Sequence, residues 1–153
     1  MKILLLCFAQ KEEDFIRDGV SEYEARIKKY FPFETKILKP VGKEMKEQQA
    51  AEEKMLDSYF TNDSLVVLLD EKGKQFSSTS FAKYFQSKLN SGKKKMVFVI
   101  GGAYGFSEAV KTKAHDVISL SELTFPHQLA KLIFCEQLYR TCTILKGEKY
   151  HHQ

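Results

Sequence analysis

The sequence predicts an α/β protein built on a mainly parallel sheet with helices on both faces, and three observations carry that expectation. Short apolar runs alternate along the whole chain with segments of helical periodicity. Two of those runs, Leu65-Val-Val-Leu-Leu69 and Met96-Val-Phe-Val-Ile100, are apolar at every position, as strands buried on both faces must be. The chain has 153 residues and carries no linker, low-complexity tract or internal repeat, so one domain spanning residues 1–153 is expected.

Each element has its own warrant. Ile3 to Phe8 is an apolar run of strand length. Phe15, Ile16, Val20, Tyr23, Ile27 and Tyr30 recur at the three- and four-residue spacing of an amphipathic helix. Phe33 to Leu38 reads as a second strand, closed by Pro40. Residues 43–60 read as a charged, Gln-rich helix with a thin apolar face, suited to covering one edge of the fold. Leu65 to Leu69 is the third strand, and Asp70-Glu-Lys-Gly-Lys74 is expected to turn the chain. Ser77-Ser78 offers a cap to a helix carrying Phe81, Tyr84, Phe85 and Leu89. Met96 to Ile100 and Val117 to Leu120 complete the strands, and Pro126 opens a last helix running to about Leu145.

Composition narrows the classes of function. With 43% hydrophobic and 29% charged residues the chain reads as soluble and globular, and no segment approaches the roughly 18 apolar residues of a membrane span. Leu4-Leu5-Leu6 is too short for a signal-peptide core, so a cytoplasmic location is expected. A net charge of +4 permits an anionic partner without demanding one. Lys93-Lys94-Lys95 reads as a solvated turn before a strand, without the interleaved aromatics that stack on single-stranded bases. Cys7, Cys135 and Cys142 have neither metal-ligand nor disulfide spacing and read as small buried hydrophobes; no metal is expected.

The residues that packing does not explain lie late in the chain. Ligands of open parallel sheets bind beyond the carboxyl ends of the strands. Three strands end there in unusual loops: Leu69-Asp70-Glu71, Ile100-Gly101-Gly102 and Leu120-Ser121-Glu122. Gly101, Gly102 and Gly105 let a ligand approach the main chain, but G-G-x-x-G after a late strand is not a dinucleotide fingerprint. The hydroxyl-rich loop from Ser119 to Phe125 could hold a base edge, or Ser121 or Thr124 could simply cap the following helix. His127 opens that helix and reads as a structural hydrogen-bonding residue, with no zinc-site partner and no G-x-S-x-G elbow nearby. Arg140 can pair with Glu136 one turn earlier or grip a phosphate in a fork; Tyr150-His151-His152 reads as a disordered end or as part of a site.

Taken in order, Leu69-Asp-Glu-Lys-Gly-Lys74, Phe98-Val-Ile-Gly-Gly-Ala-Tyr-Gly105, Ser119-Leu-Ser-Glu-Leu-Thr-Phe-Pro-His127, Glu136-Gln-Leu-Tyr-Arg140 and Gly147-Glu-Lys-Tyr-His151 resemble the motif series of the RlmH family. That family comprises large-subunit ribosomal RNA pseudouridine N3-methyltransferases of the SPOUT superfamily, and the resemblance covers essentially the whole chain. It implies a single SPOUT methyltransferase domain with a C-terminal deep trefoil knot, over about residues 65–150, that binds S-adenosyl-L-methionine. The cofactor would be held by Leu69, Gly101, Leu120, Ser121, Glu122, Leu123, Thr124 and Phe125. It further implies a homodimer acting on a pseudouridine of large-subunit rRNA within the assembled ribosome. Arg140, Tyr150 and His151 would shape the target site and supply the candidates for removing the N3 proton, with the tail acting in its own subunit or across the dimer interface. Two positions depart from the family's pattern: Phe8-Ala9-Gln10 where a glycine is frequent, and Lys131 where an arginine is common, a change that keeps charge but loses forked phosphate recognition. The alternative is a non-catalytic SAM-binding ribosome- or RNA-binding module of the same fold; a nicotinamide oxidoreductase comes third.

Overall fold

The computed structural model describes residues 1–152. Strands β1 (Lys2–Phe8), β2 (Phe33–Leu38), β3 (Ser64–Gln75), β4 (Lys95–Ile100) and β5 (Asp116–Ser119) form one sheet in the order β2-β1-β4-β3-β5, every pair parallel. Helices α1 (Asp14–Ile27), α2 (Met45–Leu56), α3 (Ser78–Leu89), α4 (Glu108–Lys113) and α5 (His127–Lys146) connect and cover them, with one 3₁₀ turn at Asp57–Tyr59.

Alternation along the strands divides the core in two. Ile3, Leu5 and Cys7 of β1, Leu65, Val67 and Leu69 of β3, and Met96, Phe98 and Ile100 of β4 face α1, α3 and α5. Leu4, Leu6 and Phe8, with Val66, Leu68, Val97 and Val99, face the other way onto Leu56, Phe106 and Val110. The first side is the richer. Phe134 of α5 sits with its ring centre 4.7 Å from that of Phe98 and 6.4 Å from that of Phe81. The second side is thin, because α2 buries only Glu52 and Leu56. All three cysteines are buried and free, as their spacing predicts.

Several expectations are corrected. The Asp70–Lys74 segment does not end the third strand; β3 runs on to Gln75, and Leu69 and Lys74 both pair with Ile118 while the residues between them bulge outward. Gly73 makes this possible, since a Cβ there would lie 2.5 Å from the Ile118 carbonyl carbon. The helix expected over residues 43–60 is shorter, giving way to the 3₁₀ turn at Asp57. Helix α4 is an addition, capped by Ser107, whose Oγ accepts from the Val110 N–H at 3.3 Å. As expected, Ser77 caps α3 by accepting from the Ser80 N–H. Pro126 stands just before α5 as its N-cap, and Gly147 ends that helix in the left-handed conformation at φ 68°.

Candidate active site

The bulge of β3 and the carboxyl ends of β4 and β5 open together into a cavity of about 430 Å³. Its wall contains Leu69, Gly101, Leu120, Ser121, Leu123, Thr124 and Phe125, so the structure brings together seven of the eight residues expected at the cofactor. Glu122 is the exception: it is exposed on the loop and absent from the lining. The bulge of β3 contributes Asp70, Glu71 and Lys72, and α4 contributes Lys111.

The loop after β5 uses its hydroxyls on itself. Ser119 Oγ donates to the Ser121 carbonyl at 2.9 Å, Ser121 Oγ accepts from the Leu123 N–H at 2.9 Å, and Thr124 Oγ1 donates to Glu71 Oε2 at 2.8 Å. The expected helix cap from Ser121 or Thr124 is therefore not made, and α5 starts without a side-chain cap bond. The expectation that these hydroxyls hold a base edge also loses ground, because each already has a partner within the fold and the main chain is left to meet a ligand. The Thr124–Glu71 bond ties the loop after β5 to the β3 bulge, two parts of the cavity wall.

Gly101 departs from the simple picture of a bare backbone facing a ligand. A Cβ built there would lie 3.1 Å from Phe106 Cζ, so this glycine makes room for a buried ring. His127 lines the cavity as the first residue of α5, and burial holds its imidazole below the ordinary pKa, favouring the neutral ring.

The cavity's size and lining suit S-adenosylmethionine. Leu69, Ile100, Leu120 and Phe125 offer apolar walls for a purine, while Asp70 and Lys111, 4.0 Å apart, offer both signs of charge to an amino-acid zwitterion. A second, more apolar cavity of about 600 Å³ adjoins the first, sharing Gly102, Ala103 and His127 and bordered by Phe8, Ile16, Pro40 and the 68% exposed Phe15.

The other expected site residues form a separate cluster at the far end of α5. Arg140 donates through Nε to Glu136 Oε1 at 3.1 Å, and Tyr150 Oη donates to the same oxygen at 3.1 Å. The guanidinium lies 4.9 Å from the Tyr150 ring centre, and its Nη1 is 3.2 Å from His151 Nδ1. A guanidinium has no acceptor, so Nδ1 must accept and the neutral ring carries its proton on Nε2. The tail is held rather than loose. Its turn after Gly147 places the Tyr150 ring 4.7 Å from that of Tyr139, and Glu148 accepts from Tyr30 Oη at 2.6 Å. Burial, then hydrogen bonding to Tyr23 and the Glu136 charge, pushes the Tyr150 phenol well above its usual range. Tyr150 therefore holds its proton more tightly than an ordinary tyrosine.

Lys131 does not wait for a phosphate. Its side chain is 3% exposed and forms an ion pair with Glu12 inside the fold. Among the described residues no group of three or more His, Cys, Asp or Glu side chains could hold a metal, and no helix is long and apolar enough to cross a membrane.

A five-stranded parallel sheet with a loop-lined cavity at the carboxyl ends of its last strands is a ligand-binding α/β fold, and comparison with known proteins places it among methyltransferases. Residues 1–151 match the family described as "Predicted SPOUT methyltransferase", and the chain belongs to that family. It is 44% identical to the ribosomal RNA large subunit methyltransferase H of Christiangramia forsetii, covering 100% of both chains. It is 42% identical to the protein of that name from Flavobacterium johnsoniae, again over 100% of both. With that from Cytophaga hutchinsonii the identity is 41% over 99% of this chain and 100% of the other. A solved structure of a probable methylase family protein from Haemophilus influenzae shares the fold at a TM-score of 0.53, with 13% identity, covering 97% of this chain and 67% of that one.

Proposed function

We propose that this chain is an rRNA methyltransferase that transfers the methyl group of S-adenosylmethionine to N3 of a pseudouridine in large-subunit RNA, as a homodimer in the cytoplasm and on the assembled ribosome. The names of its full-length relatives support the rRNA substrate. One observation carries the dimer: His127, at the cavity, and Arg140, in the cluster, lie 13 residues apart on the same helix, about 20 Å at 1.5 Å per residue. The tail is tied to Glu136 and Tyr139 at the distant end, so a chain's own cluster is out of reach of its own cavity. A second copy can bring the two together. Membership in the SPOUT methyltransferase family supports threading of about residues 65–150 into a knot.

Leu69, Gly101, Leu120, Ser121, Leu123, Thr124 and Phe125 would hold the cofactor, with Asp70 and Lys111 at its zwitterionic end. When bound, it supplies a sulfonium methyl that is already strongly electrophilic. The chain's task is alignment of the acceptor nitrogen, which effective molarity rewards heavily. Arg140 is held positive, its pKa raised by the Glu136 hydrogen bonds. Set against a base carbonyl, that charge favours the N3 anion, while His151 Nε2–H offers a donor that fixes the ring. The Tyr150 proton is already given to Glu136 and His151 Nδ1 already accepts from Arg140, so both act by positioning and the N3 proton passes to water.

Incubation with labelled S-adenosylmethionine and ribosomes from a strain lacking the enzyme, followed by nucleoside mass spectrometry, tests the proposal. Methyl-pseudouridine on ribosomes, with weak transfer to naked RNA, is expected. Binding without transfer to any ribosomal substrate would favour a non-catalytic binding module.

A further inference from the structure

Helix α2 is a poor core helix, and what it buries explains why. Its interior face offers Leu56 and a glutamate, Glu52, which is 3% exposed. Burying a carboxyl is costly unless it is partnered. Yet Glu52 forms no ion pair among the described residues, while its neighbour Glu53 meets Lys113 at 3.0 Å. Glu52 Oε2 is the one buried side-chain polar atom without a partner among the described residues. Burial raises the pKa of this carboxyl, opposed by the Gly102 backbone amide and by Gln48 Nε2 at 3.4 Å. A leucine would serve packing better at this position.

The carboxyl is placed under the glycine turn that follows β4. A Cβ on Gly102 would lie 2.1 Å from Glu52 Oε1 and 3.0 Å from Gln48 Nε2, so Glu52 occupies the space where any other residue's side chain would begin. Gln49, on the same helical turn, reaches the next residues: its Nε2 donates to the Tyr104 carbonyl at 3.3 Å and toward that of Gly105 at 3.5 Å. Three polar side chains of α2 thus address the backbone of residues 102–105, which forms one wall of the cofactor cavity.

We propose that Glu52 is a positioning residue for the cofactor site: its buried carboxyl, inserted from α2 beneath Gly102, sets the course of the 101–105 turn and so the shape of the cavity that receives S-adenosylmethionine. The proposal rests on the cavity being the cofactor site. Gly102 is then required for the approach of Glu52 from behind as much as for the approach of a ligand from in front. The weak apolar face of α2 follows, because that helix braces a loop in addition to covering a sheet.

The test is calorimetric binding of S-adenosylmethionine together with the thermal midpoint of the ligand-free protein. Glu52→Ala should weaken binding by at least about tenfold through misplacement of the turn. Its midpoint should hold or rise, since an incompletely partnered buried carboxyl is removed. Glu52→Gln, which keeps its shape and a carbonyl oxygen in the space beneath Gly102, should bind within about threefold of wild type. A residue that merely fills space predicts the reverse pattern, a lower midpoint with unchanged affinity. Gly102→Ala reads the same contact from the other side and covers the case in which Glu52→Ala does not fold. It should weaken binding, and in combination with Glu52→Ala the losses should fall short of additive. Wild-type protein that binds no S-adenosylmethionine overturns the cavity assignment and this proposal with it. Wild-type binding with an unchanged Glu52→Ala affinity, or strictly additive losses, overturns this proposal alone.

Discussion

If the cavity of one subunit is completed by the cluster of another, two inactive variants should repair each other. Ser121→Trp places an indole in the cavity wall and blocks the cofactor while leaving Arg140, Tyr150 and His151 intact. Arg140→Ala removes the guanidinium that holds His151 and stacks on Tyr150, but leaves the cavity untouched about 20 Å away along α5. Each variant alone should retain less than about one per cent of wild-type methylation, the scale of loss for removed catalytic positioning and proton-transfer groups. When the two are unfolded together in equal amounts and refolded, random pairing makes half of the dimers mixed. Each mixed dimer holds one complete site, built from the cavity of the Arg140→Ala chain and the cluster of the Ser121→Trp chain. Wild-type dimers hold two, so the mixture should recover about a quarter of wild-type activity. The assay is single-turnover methylation of ribosomes, with light scattering to verify that both variants dimerise. Dimers that form in the mixture and remain inactive would refute the shared site and return the cluster to a role within its own subunit.

The remaining predictions concern stability. Phe134→Ala should cost about 3–5 kcal/mol, because the ring is fully buried between Phe98 and Phe81 and its loss leaves a cavity; urea denaturation measures it. Glu12→Gln should cost about 3 kcal/mol by leaving Lys131 charged and buried without its partner, whereas Lys131→Met should cost much less, and equal losses would refute this asymmetry. Burial pushes the thiols up, Cys7 to about 11 and Cys135 and Cys142 to about 12, from an ordinary 9.0. The folded state therefore keeps protons that the unfolded state releases: stability is full below pH 9 and falls as pH rises toward 11, by about 1.4 kcal/mol per pH unit for each thiol once the unfolded thiols are ionised. Urea midpoints from pH 7 to 10.5 should show that decline, and Cys135→Ala should make it shallower.

What could be read from the sequence follows the physics of each signal. Strands β1, β3 and β4 are saturated with apolar side chains because both of their faces are covered, and such runs announce themselves. The two cavity loops that follow β4 and β5 were legible because glycines and hydroxyls interrupt the apolar runs where those parallel strands end. The bulge in β3 was not, since Asp70-Glu-Lys-Gly73 has turn composition whether the chain leaves the sheet or arches over Ile118 and rejoins it. Only the neighbouring strand decides between the two. Glu52 was hidden for a related reason: in a charged helix one more glutamate reads as solvated, and its burial depends on a glycine 50 residues away. The tail read equally well as a disordered end, because its anchor is the ring of Tyr139 and the carboxylate of Glu136, contacts that no local pattern encodes.

The unequal packing of the two sheet faces bears on how this molecule breathes. The side of α1, α3 and α5 carries the interlocked aromatic rings and should exchange its amide hydrogens only through global unfolding. The side of α2 and α4 is held by few apolar anchors and should open first, exposing amides of the 101–107 segment without melting the sheet. Because the part of the cavity wall that ends at Phe106 belongs to that looser side, a bound ligand pays for ordering it and in return clamps it shut. Cofactor affinity and the protection of α2 amides should therefore rise and fall together, making one half of a single small fold a rigid platform and the other a ligand-set latch.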